Sequence, residues 1–510
     1  MTAARAAGAQ EHGAPDAPRP AAGGRGAGAA VLGSGRLLRL ELRHNAMLWL
    51  LPVAFALFFY NGYREIMALP PMWNLRAMTV QNRLLLDLLI PVTGAAAWMG
   101  SREGRRGITD LVAVTARPRW SRQLVIWAAT TAWAELACLA CVAVVYLITA
   151  RQASWGGTLW WPAVVSVAGV PTLTAIGFAA GAWFPGRFVT PLVTVVMFFG
   201  VAYGTQAASG DHSYWQISPL TTGAVGIGAA PGVASFYPYL PDLSIAQVMF
   251  TVGLTVAVLG ALGIPVARMR WLAAVITVTG LATAGTAVAL AGTGRLDPHG
   301  MIVIPALHDA ASDQPVRYTP ACSRTPIPVC VNPAYAGFLP AVTAAVGPEL
   351  TEFAGLPGAP ARLSQVPLVY RQVSGNGVTV GGIGTGPAAF ALPDQVPGWL
   401  GTTDAEFAAQ LDEGLGLHLA SHVILGDGPA SAGAPSQAEL AVIAGSVRFP
   451  PSVESRDLGP LYGQVLPQPG SPAALAARRF AALTPAARHA WLAGHLTALQ
   501  AGRVSLEQLP

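Results

Sequence analysis

Seven apolar runs, near residues 46–61, 84–100, 124–149, 160–184, 188–205, 244–267 and 271–292, dominate the first 293 residues of this 510-residue chain. Inside a bilayer every backbone N–H and C=O has to be satisfied within the protein, so runs of this kind fold as helices. A span requires about 20 apolar residues, within a range of roughly 17–25. The third, fourth, sixth and seventh runs meet that length; the first two are short, and the second carries Asp87. Pro171 and Pro191 fall inside or at the start of runs, a placement that membrane helices tolerate. The chain is 53% hydrophobic and 11% charged, against about 25% charged in soluble proteins. The predicted fold class is an α-helical polytopic membrane domain of about six to seven spans over 35–293, followed by an α+β soluble domain over 294–510.

Arginine sets the orientation. All thirty basic residues are arginine, a bias that fits a high-GC bacterial genome and leaves no lysine for a P-loop or a Schiff base. Six of them lie between Arg102 and Arg122, in the loop joining the second and third runs. Arginine-rich loops stay on the cytoplasmic side of a membrane. With the N-terminus inside, the cytoplasmic flanks hold twelve arginines and the outer loops hold four, Arg64, Arg76, Arg83 and Arg151. An odd number of spans then places residues 294–510 outside the cytoplasm, in a multi-pass protein of the bacterial cytoplasmic membrane. Residues 1–34, rich in Ala, Gly and Pro, read as a disordered cytoplasmic tail rather than a signal peptide. No basic stripe with stacking aromatics points to nucleic acid.

Ahead of the first run, Gly35–Leu48 places Arg36, Arg39 and Arg43 on one helical face with leucines between them, a pattern suited to a helix lying along membrane lipid. Amphipathic helix, two spans, basic loop, three spans, long outer loop and a further span follow one another in order over roughly 35–267. This order resembles the permease subunit of type-2 ABC exporters. The most specific match is Arg102-Glu103, Arg105-Arg106-Gly107, Asp110-Leu111 and Pro118, which looks like that family's coupling segment. The resemblance implies a short helix over 108–115 that docks on a separate ATPase subunit, with Asp110 in its first turn and Pro118 closing it. It implies that the partner binds the ATP, that this chain carries no cofactor of its own, and that two permeases form a homodimer or heterodimer. The seventh run, 271–292, departs from the family's six spans; its role would be to export the C-terminal region.

Asp87 reads as the one acid within a span, set at its outer interface. Intramembrane acids are functional candidates by default. The outer loop 206–243 gathers His212, Tyr214, Trp215, Phe236, Tyr237 and Tyr239 among prolines, as interfacial segments do.

In the C-terminal region, strands are predicted at 301–305, 328–331, 368–373 and 378–382, and helices at about 337–356, 404–425, 436–445, 472–483 and 485–502. Thr403-x-x-Glu406 has the form of a capping box, and Thr484-Pro485 that of an N-cap with proline at the first helical position. Cys138 and Cys141 fall within the third run. Cys322 and Cys330 flank a short loop, and in an oxidising space they favour a disulfide. His418 and His422 share a helix face as in HExxH zinc sites, but Leu419 stands where the catalytic glutamate would be, so they are a weak metal pair. Ser374 and Ser421 show no base arranged for a triad, and Gly381–Gly386 reads as turns. Two other functions remain open: a membrane-anchored, degenerate metallopeptidase-like domain outside the cell, and a membrane scaffold or sensor.

Overall fold

The computed structural model describes residues 26–107, 118–153, 155–203, 217–219, 239–266, 269–297, 301–313, 319–366, 369–372, 378–381, 389–390, 404–426, 435–447 and 466–510. The predicted helix over 108–115, Asp110, Leu111, Thr403, Ser374, Gly382–Gly386 and the outer-loop aromatics other than Tyr239 lie outside these residues.

Most of the described chain is helical. Helix α1 (Gly26–Arg43) begins inside the segment read as a disordered tail; its Ala-Gly-Ala-Ala-Val-Leu start contains enough strong helix formers to continue the turn backwards. A bend of 53° separates it from α2 (Met47–Ala68). Asn45 fixes the bend: its Oδ1 accepts the Met47 N–H at 3.0 Å and its Nδ2 donates to Thr130 Oγ1 at 3.0 Å. Then follow α3 (Trp73–Gly100), the short α4 (Arg102–Arg105), α5 (Arg119–Gln152), α6 (Trp161–Trp183), α7 (Val189–Tyr203), α8 (Asp242–Ala261) and α9 (Arg270–Gly292). Five of these, α3, α5, α6, α8 and α9, are each long and apolar enough to cross a membrane, and the bent α1–α2 pair makes a sixth candidate. Helix α7 is apolar but shorter.

Small residues let the helices close on one another. A Cβ at Gly181 of α6 would stand 2.0 Å from the Ala97 carbonyl of α3, and one at Gly280 of α9 would stand 2.3 Å from the Ala257 amide of α8. Contact this close is how helices associate where lipid removes the hydrophobic drive. Hydroxyls add cross-links: Thr172 donates to Thr251 O at 2.8 Å, and Thr131 and Thr174 are 2.8 Å apart. The outward faces of α2, α7 and α9 expose Trp49, Val53, Leu192, Phe199, Trp271 and Val278, as lipid-facing surfaces do.

After α9 come β1 (Arg295–Leu296), β2 (Ile302–Val303), β3 (Ala321–Cys322), β4 (Val329–Val331), α10 (Leu339–Phe353), β5 (Leu363–Gln365), β6 (Val369–Gln372), β7 (Val378–Gly381), β8 (Ala389–Phe390), α11 (Asp404–Leu425), α12 (Gln437–Ser446), α13 (Pro472–Ala481) and α14 (Pro485–Gln500). Strands β3-β4-β5-β8 form one sheet, antiparallel at β3/β4 and parallel beyond, while β1–β2 and β6–β7 are separate antiparallel pairs. Caps account for the helix starts: the Ser436 hydroxyl and Glu439 form a reciprocal box ahead of α12, and Thr484 caps α14 with Pro485 at its first position.

The core of this region does not stop at residue 294. Tyr335, Val346, Phe353, Phe390, Ile443, Phe480 and Leu496 form one buried cluster with Leu69, Met72, Leu75 and Met78 of the α2–α3 corner and with Tyr239 and Leu240 ahead of α8. The C-terminal region therefore sits on one end of the helical bundle, the end bearing Arg64, Arg76 and Arg151. The loops bearing Arg102, Arg105, Arg106, Arg119 and Arg122 gather at the other, where Trp120, Phe178 and Leu262 share a cluster.

Candidate functional site

At the arginine-rich end the chain leaves α3 and makes the single turn of α4. Every side chain of that turn except Arg106 is held by another element or by the turn itself. Arg102 makes a two-pronged bond to Glu41 of α1, Nη1 to Oε2 at 3.0 Å and Nη2 to Oε1 at 2.7 Å. Glu103 accepts from Arg122 Nε of α5 at 2.8 Å. Arg105 turns back on α3, donating to Ser101 Oγ at 2.9 Å and Trp98 O at 3.0 Å, with its guanidinium carbon 3.3 Å from the centre of the Trp98 ring. That cation–π stack holds it against the helix. Burial draws the Arg105 pKa below the usual arginine range, and the neighbouring Arg106 charge draws it further.

Backbone fit does the rest. A Cβ at Gly104 would come 2.3 Å from Pro185 Cβ in the α6–α7 loop, so only glycine permits this approach. Gly107, at φ +63°, ends the turn in the left-handed region that glycine enters without penalty. Pro118, exposed, precedes α5 at its N-cap. Trp120, the second residue of α5, donates its indole N–H to Leu259 O of α8 at 2.8 Å. The structure thus brings Arg102, Glu103, Arg105, Arg106, Gly107 and Pro118 to one end of the bundle, with Arg106, Gly107 and Pro118 on its surface.

Asp87 lies in a π-helical turn, Leu84–Leu89, which packs against a second, Phe58–Tyr63, on α2. Pro91 accounts for the first: its ring has no N–H to bond the Asp87 carbonyl and crowds it, so the ladder widens there. Gly62 makes room on the facing turn, where a Cβ would stand 3.0 Å from Asp87 Oδ2. Arg83 and Glu65 form an ion pair one turn away. Leu75 and Met78, in the first turns of α3, belong to the C-terminal core, while Trp73, Ala77 and Val80 of the same turns pack into the helical bundle. The about twenty residues of a span, counted back from Gly100, take in Asp87 near their far end.

Glu135 is a second acid within a candidate span, and the sequence reading that took Asp87 as the only one passed it over. It lies at the middle of α5, the most hydropathic of the candidate spans, and its Oε2 is buried with no hydrogen-bond partner among the described residues. Its signal was in plain view, a carboxylate in Trp133-Ala-Glu-Leu-Ala137 inside the run 124–149.

In the C-terminal region a disulfide joins Cys322 to Cys330, directly opposed across β3 and β4, with S–S 2.09 Å. Cys138 and Cys141 are buried in α5. His418 is buried and His422 half-buried on α11; their rings meet edge to face, centroids 4.5 Å apart. Leu419 is part of the core, and among the described residues no three His, Cys, Asp or Glu side chains cluster as a metal site. Ser421 donates to Leu417 O within its own helix.

No protein-family model, curated protein or solved structure matches this chain.

Proposed function

We propose that this chain is the permease subunit of an ABC-type exporter in a bacterial cytoplasmic membrane, working with a separate ATPase that binds the ATP. The observation that carries the reading is the clamped turn: Arg102 to Glu41, Glu103 to Arg122, and Gly104 against Pro185. A force applied to this turn reaches α1, α3, α5 and the α6–α7 loop together, because each contact is an ion pair or a close backbone approach rather than a slack tether. That is what a coupling element requires. Arg106 and Gly107, exposed at the end of the turn, meet the ATPase, with Asp110 and Leu111 as the further contacts that the resemblance implies; closure of the ATPase dimer tilts α3 and α5 and opens the outer end. The N-terminus lies in the cytoplasm, residues 294–510 lie outside, and a second permease completes the complex.

Purification of the full chain from its native membrane in mild detergent, with mass spectrometry of what accompanies it, tests the reading. A stoichiometric ATPase is expected, and it is lost in the Arg106→Glu/Asp110→Ala variant while the melting midpoint stays unchanged. An ATPase missing from the wild-type preparation sinks the proposal.

A further inference from the structure

One face of α1 carries charge that the protein does not use. Arg36, Arg39 and Arg43 are exposed there at helical spacing, with Leu40, also exposed, between them. None of the three arginines forms an ion pair among the described residues. The described acids at this end of the bundle are Glu41 and Glu103. Both are turned inward and taken, Glu41 by Arg102 at 2.7 Å and Glu103 by Arg122 at 2.8 Å. The outward face is therefore positive, with no carboxylate of its own to balance it.

The bend at Asn45 sets the height of that face. Taken as a span, Met47–Ala68 of α2 is about 33 Å long at about 1.5 Å per residue, close to the thickness of a hydrocarbon core. Leu69, just past one end, enters the C-terminal core, so the bend falls at the opposite edge. Trp49, almost fully exposed within the first turn of α2, and Trp271, equally exposed at the start of α9, are the side chains that gather at such an edge.

From the bend, α1 departs at 53° to α2. With α2 upright, the helical rise carries Arg43 about 2 Å past the edge, Arg39 about 5 Å and Arg36 about 8 Å. A headgroup layer is about 5–8 Å deep. A straight continuation of α2 would take Arg36 about 14 Å out, into water. The tilt is held on both sides: the Trp133 indole N–H donates to Leu42 O at 2.9 Å, and Arg102 grips Glu41. At this depth Leu40 reaches the acyl chains, while the arginine stems lie along them and keep their guanidinium groups among phosphates.

We infer that α1 binds anionic phospholipid headgroups through Arg36, Arg39 and Arg43 and prefers them to zwitterionic ones. A guanidinium meets a phosphate through paired N–H···O bonds, and a zwitterionic headgroup brings its own cation to that phosphate. The inference rests on α2 crossing a membrane and does not depend on the transport reading.

The full chain in phosphatidylcholine nanodiscs tests it, with a small share of phosphatidylglycerol carrying a photoreactive headgroup and crosslinks mapped by mass spectrometry. Labelling within residues 35–45 is expected, competed by plain phosphatidylglycerol and not by inorganic phosphate, which separates a lipid from a free anion. Arg36→Gln/Arg39→Gln/Arg43→Gln should cut it by about tenfold or more, at about fivefold for each arginine near a charged surface. Arg36→Lys/Arg39→Lys/Arg43→Lys should keep most of it. Labelling that the glutamine variant leaves unchanged overturns the inference, as does equal labelling by phosphatidylcholine with the same photoreactive group. That second comparison uses the wild type and decides the matter should the glutamine variant fail to fold. Label on the Arg106 turn with none on α1 overturns it too and leaves α1 to a soluble partner. Phosphatidylcholine with the photoreactive group in its acyl chain should label α2; no label there removes the premise and the inference together.

Discussion

Glu135 of α5 carries a buried oxygen with no hydrogen-bond partner among the described residues. A polar atom in that state costs about 1–3 kcal/mol by measurements on proteins, and a carboxylate at mid-span costs still more if charged. Replacing it by leucine removes the penalty and keeps the volume close. Glu135→Leu is therefore expected to raise the apparent melting midpoint of the detergent-solubilised protein, by on the order of 1 kcal/mol of added stability. Glu135→Gln keeps a polar head in the same place and is expected to leave the midpoint nearly unchanged. A fall with leucine would mean the carboxylate has a partner after all. An acid that lowers stability and is nonetheless present marks a place where chemistry, rather than packing, chose the residue.

Among elements, α10 and α14 are joined by Glu352 and Arg488, whose side chains are mostly buried. The Glu352 hydrogen bond holds the Arg488 pKa above its ordinary value, against an opposing contribution from burial. A raised pKa contributes stability that is fully present below the ordinary arginine value and is lost only as pH climbs through the higher folded one, so Arg488 gives no pH dependence across the neutral range. Mutation is the way to read the pair. Arg488→Met strands a buried carboxylate and should cost about 3 kcal/mol; adding Glu352→Gln should recover part of that loss. Additive losses in a denaturation double-mutant cycle would show that the two do not act together.

Legibility also divides at the element scale. Helix α9 was plain in the sequence, since an apolar run bounded by Arg270 and Thr293 needs nothing else to define it. The first two runs were read short for physical reasons. Helix α2 continues through Ala68 because Glu65 pairs with Arg83 of α3, and hydropathy registers such a pair only as two charges. Helix α3 begins at Trp73 because its polar first half finds partners inside the protein: Leu75 and Met78 enter the C-terminal core, and Arg76 donates to Gln152 Oε1 and Leu69 O. At the candidate coupling turn, the basic loop was visible, but its clamp joins Arg102 to a glutamate 61 residues away. No local pattern announces such a partner.

At the scale of the whole molecule, the question is what holds the C-terminal region against the helical bundle. Much of the answer is shared apolar core, and a polar latch lies apart from it, within a second, smaller core. Asp242, the first residue of α8 and 1% exposed, accepts the Ile304 N–H at 2.9 Å and lies 3.2 Å from His308 Nδ1 through the same Oδ2. Ile217, Leu243, Ile302 and Ile304 close over it as a small core. Removing the carboxylate leaves a buried backbone donor with nothing to meet, a defect of about 1–3 kcal/mol, in the segment just beyond β2. The β1–β2 turn has its own tie, Asp297 Oδ1 accepting the Met301 N–H at 2.7 Å, and so should survive. Asp242→Ala is therefore expected to speed amide hydrogen exchange at Ile304 and its neighbours to residue 308, while the α11–α14 helices keep their protection. Asp242→Asn retains an acceptor oxygen and should fall between the two. Equal exchange at Ile304 in wild type and Asp242→Ala would show that apolar contact alone seats the C-terminal region. Loss of protection throughout α10–α14 would show instead that the region cannot hold its own fold once unlatched, as a core shared with Leu69, Met72 and Leu75 allows.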